Sequence, residues 1–485
     1  MQRSVTQNTI FMTVASVGQK IVSFVYFTLV ARNIGPEETG KYFFTLSFTT
    51  LFVVFVDLGF TNVLVREAAK AREKIQEYFS TIIAAKILFG VLSYGGAIAA
   101  IWAMGYPVEI RHLVYISAIT MLFDSFHLSI YGVLRALWRV GYEAISIVGS
   151  QLLTLVLGSV VLFFDLPLLY LMLAFTVPSF LNMCYAATVL YRKFHIILMP
   201  HFRRDIFFHL GRMAVPFALA AVFARVYSSI DSILLSKLAG NTAVGWYSIP
   251  YKITFAFQFV PLALVAALYP RFSEYFVTDK RKLAYLFERS VAYLWIVAFP
   301  IVVGICILAK DIILALYTEE YLASLLPLQI LISSLLFSFV SFPIGSFLNA
   351  CNRQGVQTAI VGSVMVVNVL LNIILIPRLG IVGAAVAACV GNVLLSVLGY
   401  MFIPKIASIS HAFIAKTFVQ LSVAAGVMGL FVWLTNQYLH FLVAIVVGAC
   451  VYSSMLILTR AVTLKNIQEL VQLVRYGSQP QEVVE

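Results

Sequence analysis

The chain has 485 residues, 61% of them hydrophobic and 11% charged, with a net charge of +12. A soluble domain carries roughly 25% charged residues, so a water-soluble globule is excluded, together with disorder, a disulfide scaffold and a collagen-like fibre. Basic membrane proteins concentrate positive charge on cytoplasmic loops, so the excess speaks first of topology and only poorly of nucleic acid.

Apolar runs of about 20 residues cross a hydrocarbon core of about 30 Å, and the chain holds fourteen candidates. The first, near 9–31, carries Lys20 at its middle and lacks a small-residue cleavage site, so it reads as a retained span and not a signal peptide. Spans follow near 42–64 with Asp57, 78–103 with Lys86, 112–133 with Asp124 and His127, 142–164, and 167–190. The segment from Tyr191 to Arg212, with Pro200 and His201, is the longest internal linker on its side and marks a boundary. Beyond it lie 213–236 with Arg225 and Asp231, 243–269 with Lys252, 285–308, 322–349, 356–376, 380–403, 413–434 and 438–459. A polar tail ending QPQEVVE closes the chain and reads as unstructured. Cys184, Cys306, Cys389 and Cys450 fall within spans and Cys351 in a loop. An odd set in such places reads as small apolar residues, with neither disulfides nor metal ligation expected.

The positive charges assign the sides. Twenty-one Lys and Arg lie on the side of the termini, among them Arg66, Lys70, Arg72, Lys74, Arg192, Lys193, Arg203, Arg204 and Arg212, against six on the other side. Both termini are therefore expected in the cytoplasm, and the basic loops read as orientation signals and contacts with anionic headgroups. The external loops are short, which leaves no domain there to house chemistry.

Two corners repeat. VARNIGPEETGKYFFTLSF (Val30 to Phe48) and LSKLAGNTAVGWYSIPYKI (Leu235 to Ile253) superpose on a shift of 205 residues, matching Gly35 to Gly240, Gly40 to Gly245 and Tyr42 to Tyr247. The glycines suit a tight turn that needs positive φ, and the tyrosine suits the headgroup interface. The same shift puts Lys20 on Arg225. The fold expected is all-α and polytopic, with two pseudo-symmetric six-helix lobes at 1–195 and 213–404, a cytoplasmic linker at 196–212, two further helices in 405–460 and a tail at 461–485. Parallel repeats of this kind enclose a central cavity and rock against each other, the architecture of a transporter.

A cation at the bilayer centre costs at least about 2.5–3.5 kcal/mol unless it faces water, a partner or a ligand. Lys20 shares a helical stripe with Thr13, Ser16 and Ser23, and Arg225 one with Ser228, Ser229 and Ser232. Two cations facing one cavity suit a diphosphate, with Arg as planar fork and Lys as point charge; Lys252 and Lys86 are further candidates, although Lys86 lies near enough to a helix end to snorkel. The alternative is ion pairing, of Lys20 with Asp57 and of Lys252 with Asp231, and either carboxylate could also titrate or bind a cation during transport. Asp124 and His127, one turn apart, fit either a proton relay or helix-to-helix hydrogen bonding. Arg289, near the start of its span, is expected to reach headgroups.

The chain has no G-x4-G-K-[ST], H-E-x-x-H or G-x-S-x-G motif, so a gradient or the membrane potential is the expected source of energy and no cofactor is called for. The segments ARNIGPEETGKY (Ala31 to Tyr42), DLGFTNVLVRE (Asp57 to Glu67), DSILLSKLAGNTAVGWYS (Asp231 to Ser248), YPRFSE (Tyr269 to Glu274), FLNACNR (Phe347 to Arg353) and NIILIPRLGIVGAAVA (Asn372 to Ala387) resemble the polysaccharide transporter family. That family holds the O-antigen and related lipid-linked oligosaccharide flippases, within the superfamily of the multidrug-and-toxin extruders and lipid II flippases. The resemblance implies a multi-pass protein of the cell (inner or plasma) membrane that moves a polyprenyl-(di)phosphate-linked oligosaccharide to the outer leaflet by alternating access, for surface polysaccharide biosynthesis. It also implies a central cationic cavity, to which Lys20 and Arg225 correspond, and glycan polymerase or assembly proteins as partners. Relatives often have Arg where Lys20 stands. Ion-coupled multidrug efflux is the alternative from the same architecture, disfavoured because the paired deep charges are positive; a membrane glycan polymerase or ligase is disfavoured by the short external loops.

Overall fold

The computed structural model describes residues 5–459 and 461, with side chains from residue 11 onward. The predicted tail lies outside the described residues apart from residue 461. The described residues form sixteen α-helices and three short 3-10 turns, without a strand. In order the helices are α1 (Val5–Asp57), α2 (Phe60–Lys70), α3 (Ile75–Ala103), α4 (Val108–Ala136), α5 (Gly141–Phe163), α6 (Leu168–Phe194), α7 (Arg204–Ala239) and α8 (Asn241–Ala256). They continue as α9 (Phe259–Thr278), α10 (Lys280–Leu316), α11 (Leu325–Ser333), α12 (Leu335–Ala350), α13 (Gln354–Leu379), α14 (Ile381–Tyr400), α15 (His411–Tyr438) and α16 (Phe441–Leu458).

Thirteen stretches among the described residues are long and apolar enough to cross a membrane, the first being Phe11–Asp57 with 47 residues. At about 1.5 Å per residue that stretch is more than twice the thickness of a hydrocarbon core. It is divided at Gly35, whose φ of 74° and ψ of 174° are not helical, with Pro36 opening the second half. Counted as two, it brings the spans to the fourteen expected. Gly240, at the corner between α7 and α8, has φ 88° and ψ 173°, so the two glycines matched by the repeat have nearly the same backbone conformation.

Three predicted spans are interrupted. The one at 42–64 breaks at Leu58 (φ 43°) and Gly59 (φ 78°), where the chain turns from α1 into α2. A Cβ on Gly59 would stand 2.8 Å from Phe217 Cβ and 2.9 Å from the Ala214 carbonyl oxygen, so α7 packs directly against the break. The spans at 243–269 and 322–349 are each assembled from two helices, α8 with α9 and α11 with α12.

The chain divides into two compact units, residues 1–248 and 249–485. In the first unit, one core gathers Phe60, Leu64, Phe79, Tyr131 and Leu134 around Leu210 and Ala214 of α7. A second core gathers Tyr26, Tyr42, Leu113 and Leu171. The linker before α7 is docked: the Gln76 side chain donates to the Ile197 carbonyl (3.0 Å) and accepts from the Ile197 N–H (2.9 Å), while Arg203 pairs with Glu77 at 3.1 Å. In the second unit, Phe299 and Leu308 of α10 pack with Leu421, Ala425 and Met428 of α15 and Tyr452 of α16. Asp279 caps α10 by accepting from the backbone N–H groups of Arg281 (2.9 Å) and Lys282 (3.1 Å).

Candidate functional site

The first half of α1 is two-faced. At about 100° per residue, Lys20, Thr13, Ser16 and Ser23 share one side, whereas Val14, Ile21, Val25 and Leu29, all exposed, share the opposite side. An exposed apolar stripe on a membrane helix is a lipid face, so the polar stripe is turned away from lipid. Lys20 on it is partly buried. On α7, which packs against α1 within the first unit, the predicted stripe divides. Arg225 and Ser228 are exposed, and the Ser228 hydroxyl donates to the Arg225 carbonyl at 3.0 Å, while Ser229 and Ser232 are buried. The repeat-related cations thus lie on neighbouring helices. Lys252 belongs to the second unit, beside Tyr251, whose ring stacks on Phe255 with centroids 5.9 Å apart.

Lys86 departs from expectation. It has no exposed surface and does not snorkel: its ammonium pairs with Asp57 at 2.6 Å and donates to Thr61 Oγ1 (3.2 Å) and to the carbonyl (2.9 Å) and hydroxyl (3.1 Å) of Ser125. The Thr61 hydroxyl in turn donates to Asp57 and lies 3.1 Å from Ser129 Oγ. These contacts saturate the three N–H donors of the ammonium and tie together the end of α1, α2, α3 and α4. Asp57 is therefore partnered by Lys86 and not, as the sequence suggested, by Lys20, and Lys86 presents nothing to a ligand.

Asp231 accepts from the Tyr247 hydroxyl at 3.0 Å across the α7–α8 corner. The residues 205 positions earlier, Tyr26 and Tyr42, are buried in one core across the equivalent corner of α1. Asp124 accepts from the Ser179 hydroxyl and so joins α4 to α6; His127 Nδ1 lies 3.7 Å from the Asp124 carboxylate, beyond hydrogen-bond reach. Helix-to-helix bonding thus describes Asp124 here. Sequence reasoning missed Asn182, which accepts from both Tyr131 and Ser146, because single polar residues 36 and 51 positions apart carry no periodic signal; it also missed the Arg135–Glu143 pair, which joins the end of α4 to the start of α5. Arg289 lies over the rings of both Tyr285 and Phe413, 4.9 Å from each centroid. Among the described residues no group of three or more His, Cys, Asp or Glu is placed to hold a metal ion.

A profile of the family described as "Polysaccharide biosynthesis protein" matches residues 5–276, more than half of the chain. The chain belongs to that family. A second profile, MatE, matches residues 216–374 of this polysaccharide biosynthesis family member. Among curated relatives, "Probable flippase AglR" of Haloferax volcanii is 28% identical over 37% of this chain and 38% of its own length. "Probable low-salt glycan biosynthesis flippase Agl15" of the same organism is 22% identical over 93% of this chain and 96% of its own. The solved structure titled "Lipid II flippase MurJ, inward closed conformation" superposes with a TM-score of 0.78 at 17% identity, covering 93% of this chain and 99% of that one. The family member thus has the fold of that structure, as an all-helical, multi-pass membrane protein.

Proposed function

We propose that the chain is a flippase that moves polyprenyl-(di)phosphate-linked oligosaccharide from the cytoplasmic to the outer leaflet by alternating access. The observation that carries this reading is the pair of cations at repeat-equivalent positions, Lys20 on a face turned away from lipid and Arg225 exposed on the adjacent α7. In a low-dielectric span, cations retained at repeat-equivalent positions suit an anionic passenger, and the curated relatives above bear flippase names. Lys20 and Arg225 are read as phosphate-binding, with Lys252 a further substrate-binding candidate; Lys86 and Asp57 hold the helices together. The reading includes cytoplasmic termini, lobes at 1–195 and 213–404 with two further helices in 405–460, and partners among glycan polymerase and assembly proteins. It makes the chain a transporter and not an enzyme.

The MatE match over residues 216–374 favours a second reading, ion-coupled efflux of a small molecule. One experiment separates the two. In liposomes holding a fluorescent polyprenyl-diphosphate sugar, the wild-type chain transfers the lipid between leaflets, and Lys20→Ala or Arg225→Ala lowers the rate by about tenfold or more, the loss expected when one charge-assisted hydrogen bond is removed. A wild-type protein that leaves the sugar lipid in place and exports a cationic dye overturns the flippase reading; full transfer by both variants overturns the site.

A further inference from the structure

The turn between α3 and α4 reaches the α7–α8 corner within the first unit. The Tyr106 hydroxyl donates to Ser236 Oγ at 2.9 Å, and the Ser236 hydroxyl donates on to Asn241 Oδ1 at 2.8 Å. Lys237 donates to the Met104 carbonyl at 2.6 Å, and its ammonium stands 5.7 Å from the centre of the Tyr106 ring. That ring stacks on Phe44 of α1, with centroids 4.8 Å apart, and Arg111 Nε donates to the Tyr106 carbonyl at 2.6 Å. The turn thus rests on α1 and α4 and reaches across to α7 through two hydrogen bonds and the ammonium of Lys237 over the Tyr106 ring.

Beside this bridge the two repeated corners meet backbone to backbone. A Cβ on Gly40 would stand 1.8 Å from the Asn241 carbonyl oxygen, and one on Gly245 would stand 1.8 Å from the Pro36 carbonyl oxygen. The contact is reciprocal: under the 205-residue shift Pro36 matches Asn241 and Gly40 matches Gly245. Permanent helix packing interlocks apolar side chains. Here the closest approach is made by glycine backbone, and the added bonds are hydrogen bonds that water can replace at little net loss. Parting this bridge strands no buried charge, because Lys237 is exposed.

We propose that the Met104–Tyr106 turn is a latch that holds the α7–α8 corner closed against α1 on the outer face, and that its release opens that face. This rests on the alternating-access reading above and adds to it the residues that hold one face shut, Tyr106, Ser236 and Lys237. None of them belongs to the cation set assigned to the substrate.

The test measures opening without transport. Ser248, fully buried on α8 one turn from Gly245, is replaced by cysteine in the full-length purified protein, and its reaction with a maleimide is followed by peptide mass. Native Cys351, buried in the second unit and with its thiol pushed up to about 11 by that burial, reports general loosening in the same sample. Adding Tyr106→Phe and Lys237→Met speeds labelling of Ser248→Cys by about tenfold, the shift in a local opening equilibrium that loss of one charge-assisted hydrogen bond produces, and leaves Cys351 unchanged. An unchanged rate at position 248, or an equal rise at Cys351, overturns the latch. The labelling result does not depend on the passenger, so a chain that fails to move glycan lipid refutes the flippase reading without altering this outcome.

Discussion

An ammonium with no exposed surface, as at Lys86, persists in a membrane span only when its donors are matched and its charge is opposed. Asp57 supplies the charge and Thr61 and Ser125 the remaining acceptors. Removing one member of such a pair strands the other, which costs roughly 3–5 kcal/mol, whereas replacing both with apolar residues of similar volume is often neutral. Lys86→Met is therefore expected to lower the melting temperature in detergent sharply, and Lys86→Met with Asp57→Leu to recover most of the loss. Equal melting of the single and double variants would show that the pair carries no such load. That Lys86 needed an opposing group was legible in the sequence, because charge is costly inside an apolar run. Which residues would enclose it was not. Lys86 and its acceptor Ser125 lie 39 residues apart on different helices, and nothing in the local pattern says which neighbour a helix face will meet.

At the scale of elements, two kinds of glycine separate. Gly40 and Gly245 sit where a methyl group would enter a neighbouring carbonyl, while Gly426, inside α15, has nothing within 4 Å of an added Cβ. Alanine at either of the first two forces helices apart, at about 1–3 kcal/mol or more; alanine at Gly426 removes backbone freedom from the unfolded chain and is worth about 0.5–1 kcal/mol in the other direction. Opposite shifts in melting temperature are the expected result, and a Gly245→Ala protein as stable as wild type would rule out the close approach. The break at Gly59 was not legible, because a residue of unusual backbone angle inside an apolar run leaves the average hydropathy of the run unchanged.

For the whole molecule, fourteen spans and an all-helical architecture were legible because hydrophobic length is set by the bilayer and not by tertiary packing. Orientation rests on charge counting and has its own test. In intact cells a membrane-impermeant maleimide should label Asp165→Cys, in the turn between α5 and α6, and spare His201→Cys, in the linker before α7; the reverse pattern would invert the protein. The linker also shows a limit of reading by composition. Its composition does not show that it is docked: Gln76 satisfies both the N–H and the C=O of Ile197, fixing the segment to α3.

The shared backbone of Gly35 and Gly240 bears on ancestry. If the chain arose by duplication and fusion of a half-sized gene, substitution would have erased most likeness between the copies, since any apolar residue serves on a lipid face. A corner that only glycine can turn offers drift no substitute. The ancestral register therefore survives at such corners and fades between them. Alignments of the two halves of other family members are best anchored on that corner and extended outward, instead of being built from overall similarity.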